Sequence, residues 1–340
     1  MSKVYKYPHP FTTEGGYTFP SLDIAYDTFG VLNEDKSSVI WVCHALTANS
    51  DVADWWPHTV EEGCFLDPER YFTVCANFLG SHYGTTGPLS INPATGEPWY
   101  GDFPLITVRD MVRVHQLLAE HLGIEHVKLL IGSSIGGFQC LEWAVMQPDF
   151  AEKAAFIATT PRTMAWASGF NESQRMAIET DHTFGNRSAE AGLDGMAVAR
   201  SIALLSYRGG MAYNISQEDA EPDNASFNRR VLSYQRYQGE KLRRRFNAYS
   251  YYRLSQAVDS HNLGRKRGRV EDVLKTIKAK SLVVSITSDI LFPPEDHDIL
   301  VANIPDVTYR TIDSVFGHDG FLVEHKLLNE IILDFIKDEQ

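Results

Sequence analysis

Short apolar runs at 39–43, 71–76, 128–132 and 153–158 are rich in Val, Ile, Leu and Phe. Such runs predict strands buried on both faces, the environment of a parallel sheet. Helical spacing separates them. Residues 107–122 carry apolar side chains at 108, 111, 112, 114, 117, 118 and 122, one stripe of a helix that stops at Gly123. Residues 136–147 form a second helix, closed by Pro148. The alternation breaks off near Thr160, then resumes with strands at 281–287 and about 307–311 and a last helix over about 321–337.

This order predicts an α/β fold, a mostly parallel sheet flanked by helices, built from residues 1–161 and 269–340. The intervening 162–268 lack strand-like runs and are rich in helix formers, which predicts a helical cap over the C-terminal edge of the sheet. Open α/β sheets bind their ligands at that edge. A Gly- and Pro-rich loop at 79–104 is long enough to suggest function rather than filler.

Composition narrows the functional classes. With 44% hydrophobic and 22% charged residues the chain is expected to be folded throughout, and a formal charge of −13 disfavours nucleic acid and anionic membranes as partners. The basic runs 243–245 and 265–269 read as solvated faces or helix ends. Cys43, Cys64, Cys75 and Cys140 match no metal or redox spacing, and neither an apolar N-terminal segment nor a span-length apolar window occurs. A reduced, cytoplasmic protein is the expectation.

The chemistry starts at Gly132-Ser133-Ser134-Ile135-Gly136, a G-x-S-x-G pattern between a strand and a helix. That context defines a nucleophile elbow, in which a tight turn exposes the central serine, here Ser134. In this fold an acid and then a histidine follow in chain order. Asp289 stands directly after the strand at 281–287, on the edge that carries the elbow. His318 lies in Phe316-Gly317-His318-Asp319-Gly320, flanked by glycines between a strand and the last helix. His44 comes too early in the chain to be the base, and the acids around His297 fit the first turn of a helix better than a metal site. Oxyanion donors are expected from the backbone amides of Ile135, after the nucleophile, and Leu46, in the loop after strand 39–43.

Taken together the chain resembles the homoserine O-acetyltransferases, an α/β-hydrolase-fold family of methionine biosynthesis. The matching stretches include HALTA (44–48), DWW (54–56), GTTGPLSINPATGEPW (84–99), GSSIGGFQCLEWA (132–144), SYRGG (206–210), SDILFPP (288–294) and GHDGFLVE (317–324). Nearly the whole chain is covered. It departs from the family at Ser133, Ile135, Ala48 and Asn247, where glycine, methionine, glycine and aspartate are usual. The resemblance implies ping-pong transfer of an acetyl group from acetyl-CoA through Ser134 to the γ-hydroxyl of L-homoserine, with His318 as base. It further implies that Arg208 binds the substrate carboxylate and Asp319 its amine, with no metal, no tightly bound cofactor and a homodimeric assembly. An arginine fork suits a carboxylate, and a buried zwitterion needs both charges paired. A succinyl donor, a serine acceptor, or hydrolysis by a carboxylesterase would use the same serine, acid and histidine.

Overall fold

The computed structural model describes residues 2–224, 227 and 229–337. Its main sheet holds β1 (Lys3–Tyr7), β4 (Leu22–Phe29), β5 (Val39–Cys43), β6 (Phe72–Ala76), β7 (Val127–Ser133), β8 (Ala151–Ile157), β9 (Lys280–Ile286) and β10 (Val307–Ile312). A separate ribbon pairs β2 (Phe11–Thr12) with β3 (Thr18–Phe19). The main order is β1-β4-β6-β5-β7-β8-β9-β10, parallel from β6 to β10 and antiparallel at β1 and β4. Every residue of β5 and β6 is buried, which is why their sequences are unbroken apolar runs. The antiparallel edge was missed. β1 is a mostly exposed edge strand of alternating charged and aromatic residues, so no apolar run marks it.

The helices before the insertion are α1 (Val52–Trp55), α2 (Val108–His121) and α3 (Ile135–Met146). α2 starts at a reciprocal cap: Thr107 Oγ1 accepts from the Asp110 amide at 3.2 Å, and Asp110 Oδ2 accepts from the Thr107 amide at 3.0 Å. Its buried stripe of Val108, Met111, Val112, Leu118 and Ala119 faces the core. Between β8 and β9 come α4 (Ala165–Glu179), α5 (Leu193–Tyr207), α6 (Gly210–Ser216), α7 (Arg230–Arg243) and α8 (Ala248–Asp259), with α5 packed on both α4 and α7. Then follow α9 (Val270–Leu274), α10 (Asp298–Asn303), α11 (Gly320–Val323) and α12 (His325–Ile336). Among the described residues no helix is long and apolar enough to cross a membrane.

Two expectations need correction. The last helix is not continuous: it breaks at Glu324, whose ψ of 41° leaves the helical range while its carboxylate accepts from Ser314 Oγ at 2.8 Å. That bond ties the helix start to the loop carrying His318. The basic run 265–269 is also not wholly a solvated face. Arg265 pairs with Glu14 at 2.6 Å, Arg109 bridges Glu14 at 2.8 Å and Glu142 at 2.7 Å, and Arg267 also bonds Glu142. The Glu142 side chain on α3 is only 3% exposed, so this network clamps the serine-bearing helix to the returning end of the insertion. Lys266 and Arg269 are exposed as expected.

Candidate active site

Ser134 joins β7 to α3 with φ 57° and ψ −125°, a conformation that costs a residue other than glycine about 1–3 kcal/mol. The surroundings enforce it. Its amide donates to the Ile157 carbonyl at 3.0 Å, and its carbonyl accepts from Thr159 Oγ1 at 2.9 Å and the Phe138 amide at 3.1 Å. A Cβ on Gly136 would stand 2.1 Å from the Cys43 carbonyl oxygen, so α3 begins directly against the end of β5. That contact sets the 44–49 loop beside the helix N-terminus. Ser133, by contrast, ends β7 with a buried hydroxyl that has no hydrogen-bond partner among the described residues.

Asp289 follows β9 and His318 follows β10, neighbouring parallel strands whose C-terminal ends share one edge. Oδ2 of Asp289 accepts from Nδ1 of His318 at 2.7 Å, and its Oδ1 accepts from the amides of Leu291 at 2.8 Å and Phe292 at 3.0 Å. Both side chains are almost fully buried. Burial opposes the imidazolium, but the charge and hydrogen bond of Asp289, joined by the charge of Asp319, outweigh it and hold the His318 pKa above its ordinary value. With Nδ1 committed to Asp289, Nε2 is the nitrogen left for proton transfer.

Ser134 and His318 line one cavity of about 380 Å³ together with Leu46, Asp319, Arg200, Tyr207, Lys241 and Arg245. The amides of Leu46 and Ile135 meet no acceptor among the described residues, whereas that of Ser134 is taken by Ile157. His44 serves packing: it stacks on Phe78 at 4.1 Å and bonds the Ala45 carbonyl at 2.8 Å. Burial depresses its pKa to about 4, partly offset by that carbonyl. His297 is likewise internal, bonding the Pro293 carbonyl and the Thr159 amide at 3.2 Å each. No cluster of three metal-ligating side chains occurs among the described residues.

Arg208 ends α5 and its Nε donates to Asp319 Oδ2 at 2.7 Å. Asp319 lines the cavity, and Arg208 is not among its lining residues. The pair exists because two glycines let the insertion touch the histidine loop backbone to backbone. A Cβ on Gly317, where φ is +66°, would lie 2.5 Å from the Gly209 amide nitrogen, and one on Gly209 would lie 2.0 Å from the Val315 carbonyl oxygen.

Sequence reasoning missed Arg200, Tyr207, Lys241 and Arg245. Arg245 donates to the Thr47 carbonyl at 2.5 Å and to Tyr83 Oη at 2.7 Å, so it holds the 44–49 loop from the insertion. The adjacency of Tyr207 to Arg208 was the available signal for that residue, and the three cations carry none in their linear spacing.

Comparison with known proteins bears on this arrangement. The α/β-hydrolase-fold family profile matches residues 39–324. A homoserine O-acetyltransferase of Cyclobacterium marinum is 46% identical over 95% of this chain and 91% of its own length. The solved homoserine O-acetyltransferase of Staphylococcus aureus superimposes with a TM-score of 0.81 at 28% identity, covering 100% of this chain and 97% of that one. The acetyl esterase MekB superimposes with a TM-score of 0.87 at 25% identity, covering 99% of this chain and 97% of that one.

Proposed function

Because the chain belongs to the homoserine O-acetyltransferases of the α/β-hydrolase fold, we propose that it transfers acetyl from acetyl-CoA to L-homoserine through an acyl-Ser134 intermediate. The observation carrying the mechanism is the bond from His318 to Asp289 at 2.7 Å in a cavity that Ser134 also lines. In the first half-reaction Ser134 Oγ attacks the thioester carbonyl while His318 Nε2 takes its proton. The amides of Leu46 and Ile135 receive the developing oxyanion. Collapse expels the CoA thiolate, which leaves with the proton from His318. In the second, His318 removes the proton from the γ-hydroxyl of homoserine, which attacks the acyl-serine, and the proton returns to Ser134 as it departs.

Arg208 and Asp319 serve the acceptor in this proposal. A zwitterionic amino acid brings one charge for each partner, so binding exchanges an internal ion pair for two with the substrate. That exchange supports transfer over hydrolysis, because water offers neither charge. The assembly is proposed to be a cytoplasmic homodimer, in line with four cysteines that all remain free. A thiol-release assay crossing acetyl-CoA and succinyl-CoA with L-homoserine and L-serine tests the assignment. Fast release only with acetyl-CoA plus homoserine is expected. Equal release with and without homoserine would make the chain an esterase.

A further inference from the structure

We infer that Arg200 of α5 and Lys241 of α7 form a phosphate-binding mouth that selects a CoA thioester over a simple ester or thioester. The inference rests on the acyl-CoA donor reading above and extends it to residues with no place in the acyl-transfer steps. Both side chains line the cavity that holds Ser134 and His318.

Their cationic neighbours are committed to carboxylates or to the 44–49 loop, whereas Arg200 lies only over the Tyr207 ring. Arg208 is paired with Asp319, Arg245 holds Thr47 and Tyr83, Arg243 reaches Asp194 and Glu240, and Arg244 reaches Glu240. Among the described residues neither Arg200 nor Lys241 meets a carboxylate, in a chain whose formal charge is −13. Lys241 is exposed and Arg200 half-buried, so both remain open to an anionic ligand in the cavity. The carboxylates that share the cavity are already engaged: Asp319 by Arg208, and Asp54 by Asn49 Nδ2 at 2.9 Å.

Tyr207 lies between the cation and the base. The Arg200 guanidinium sits 5.5 Å from the centre of the Tyr207 ring, and that ring lies 5.9 Å from the His318 ring. One aromatic ring therefore separates the cation from the base. The pantetheine arm of CoA spans roughly 16 Å when extended, longer than this separation, so it must fold for its phosphates to meet Arg200. With its acetyl carbonyl at Ser134, the folded arm in this proposal lies against Tyr207 and its phosphates meet Arg200 and Lys241. A guanidinium fork and a mobile ammonium are the usual pair of partners for phosphoryl oxygens.

The test is the ratio of kcat/KM for acetyl-CoA to that for S-acetylpantetheine, which lacks the nucleotide and its bridging phosphate, at saturating homoserine. Wild type is expected to favour acetyl-CoA, with a preference that weakens as salt rises. In R200Q and K241Q that ratio is expected to fall about five- to tenfold each, and in the double variant on the order of thirtyfold or more, with a flatter salt dependence. R200K is expected to recover part of it. Wild type that accepts both thioesters, with an unchanged ratio in the double variant, overturns the phosphate site alone. Wild type that accepts neither overturns the donor reading, and this site with it.

Discussion

Asp289 holds His318 by one carboxylate oxygen at 2.7 Å while its other oxygen is pinned by two backbone amides. The acid cannot swing away from the imidazole without stranding those amides, so the ring's tautomer and its direction are fixed together.

Replacing Asp289 with Asn keeps the size but can present an NH2 group to Nδ1, favouring the wrong tautomer. Turnover is expected to fall on the order of 10⁴-fold, the effect of the same change in a serine protease, with thermal unfolding little altered. Near-normal turnover would place the orienting acid elsewhere.

The pH profile follows from the same pair. His318 acts as base only when neutral, and its pKa is raised above 6.5, so kcat/KM should fall as pH drops through a value above 6.5. D289N should move that acid limb to lower pH. For stability the sign is opposite: the His318–Asp289 pair contributes fully below the unfolded pKa and is lost as pH rises through the folded one. An acid limb that stays in place in D289N would detach the profile from His318.

Ser134→Ala is expected to abolish acylation, and Ser133→Ala to retain most activity, since it only deletes a buried hydroxyl without a hydrogen-bond partner among the described residues. Intact-mass analysis after acetyl-CoA alone should show one acetyl group, lost in S134A and kept in S133A. An adduct that maps to Ser133 or Cys140 would overturn the assignment.

Arg208→Ala should leave the burst of CoA release nearly intact while transfer to homoserine falls. Arg208 is one-third exposed, so losing its pair with the acceptor carboxylate should cost about 1–3 kcal/mol, roughly 5- to 150-fold in kcat/KM for the acceptor. Rapid-quench measurement separates the phases. Loss of the burst with normal transfer from preformed acyl-enzyme would move Arg208 to the donor side.

Gly317→Ala combines a positive φ with a clash against Gly209, so at least about 2 kcal/mol of stability should be lost. Denaturant unfolding measures it. A wild-type midpoint would mean that the two backbones separate freely.

The parallel strands were legible because burial on both faces writes itself as unbroken apolar runs, as in Val39–Cys43. The edge strand β1 was not, because its exposed positions carry no such signature. At the candidate site, Ser134, Asp289 and His318 could be named from chain order and local context, each standing just past a strand. Arg200, Lys241 and Arg245 could not. Their meaning depends on which carboxylates the fold leaves within reach, and linear spacing does not record that. The same reason hid Arg265 and Arg267, whose acids lie at the far N-terminus and on α3.

The Gly209–Gly317 contact and the grip of Arg245 on Thr47 join the insertion to the core at two separate points, one against the base loop and one against the oxyanion loop. A cover fastened at both of these hinges of the chemistry cannot swing like a door. It is masonry: reactants enter through a standing passage, and any loosening of the roof moves the base and the oxyanion amide out of alignment. Heating should therefore silence the enzyme as soon as either fastening gives, because each of them aims one side of the chemistry.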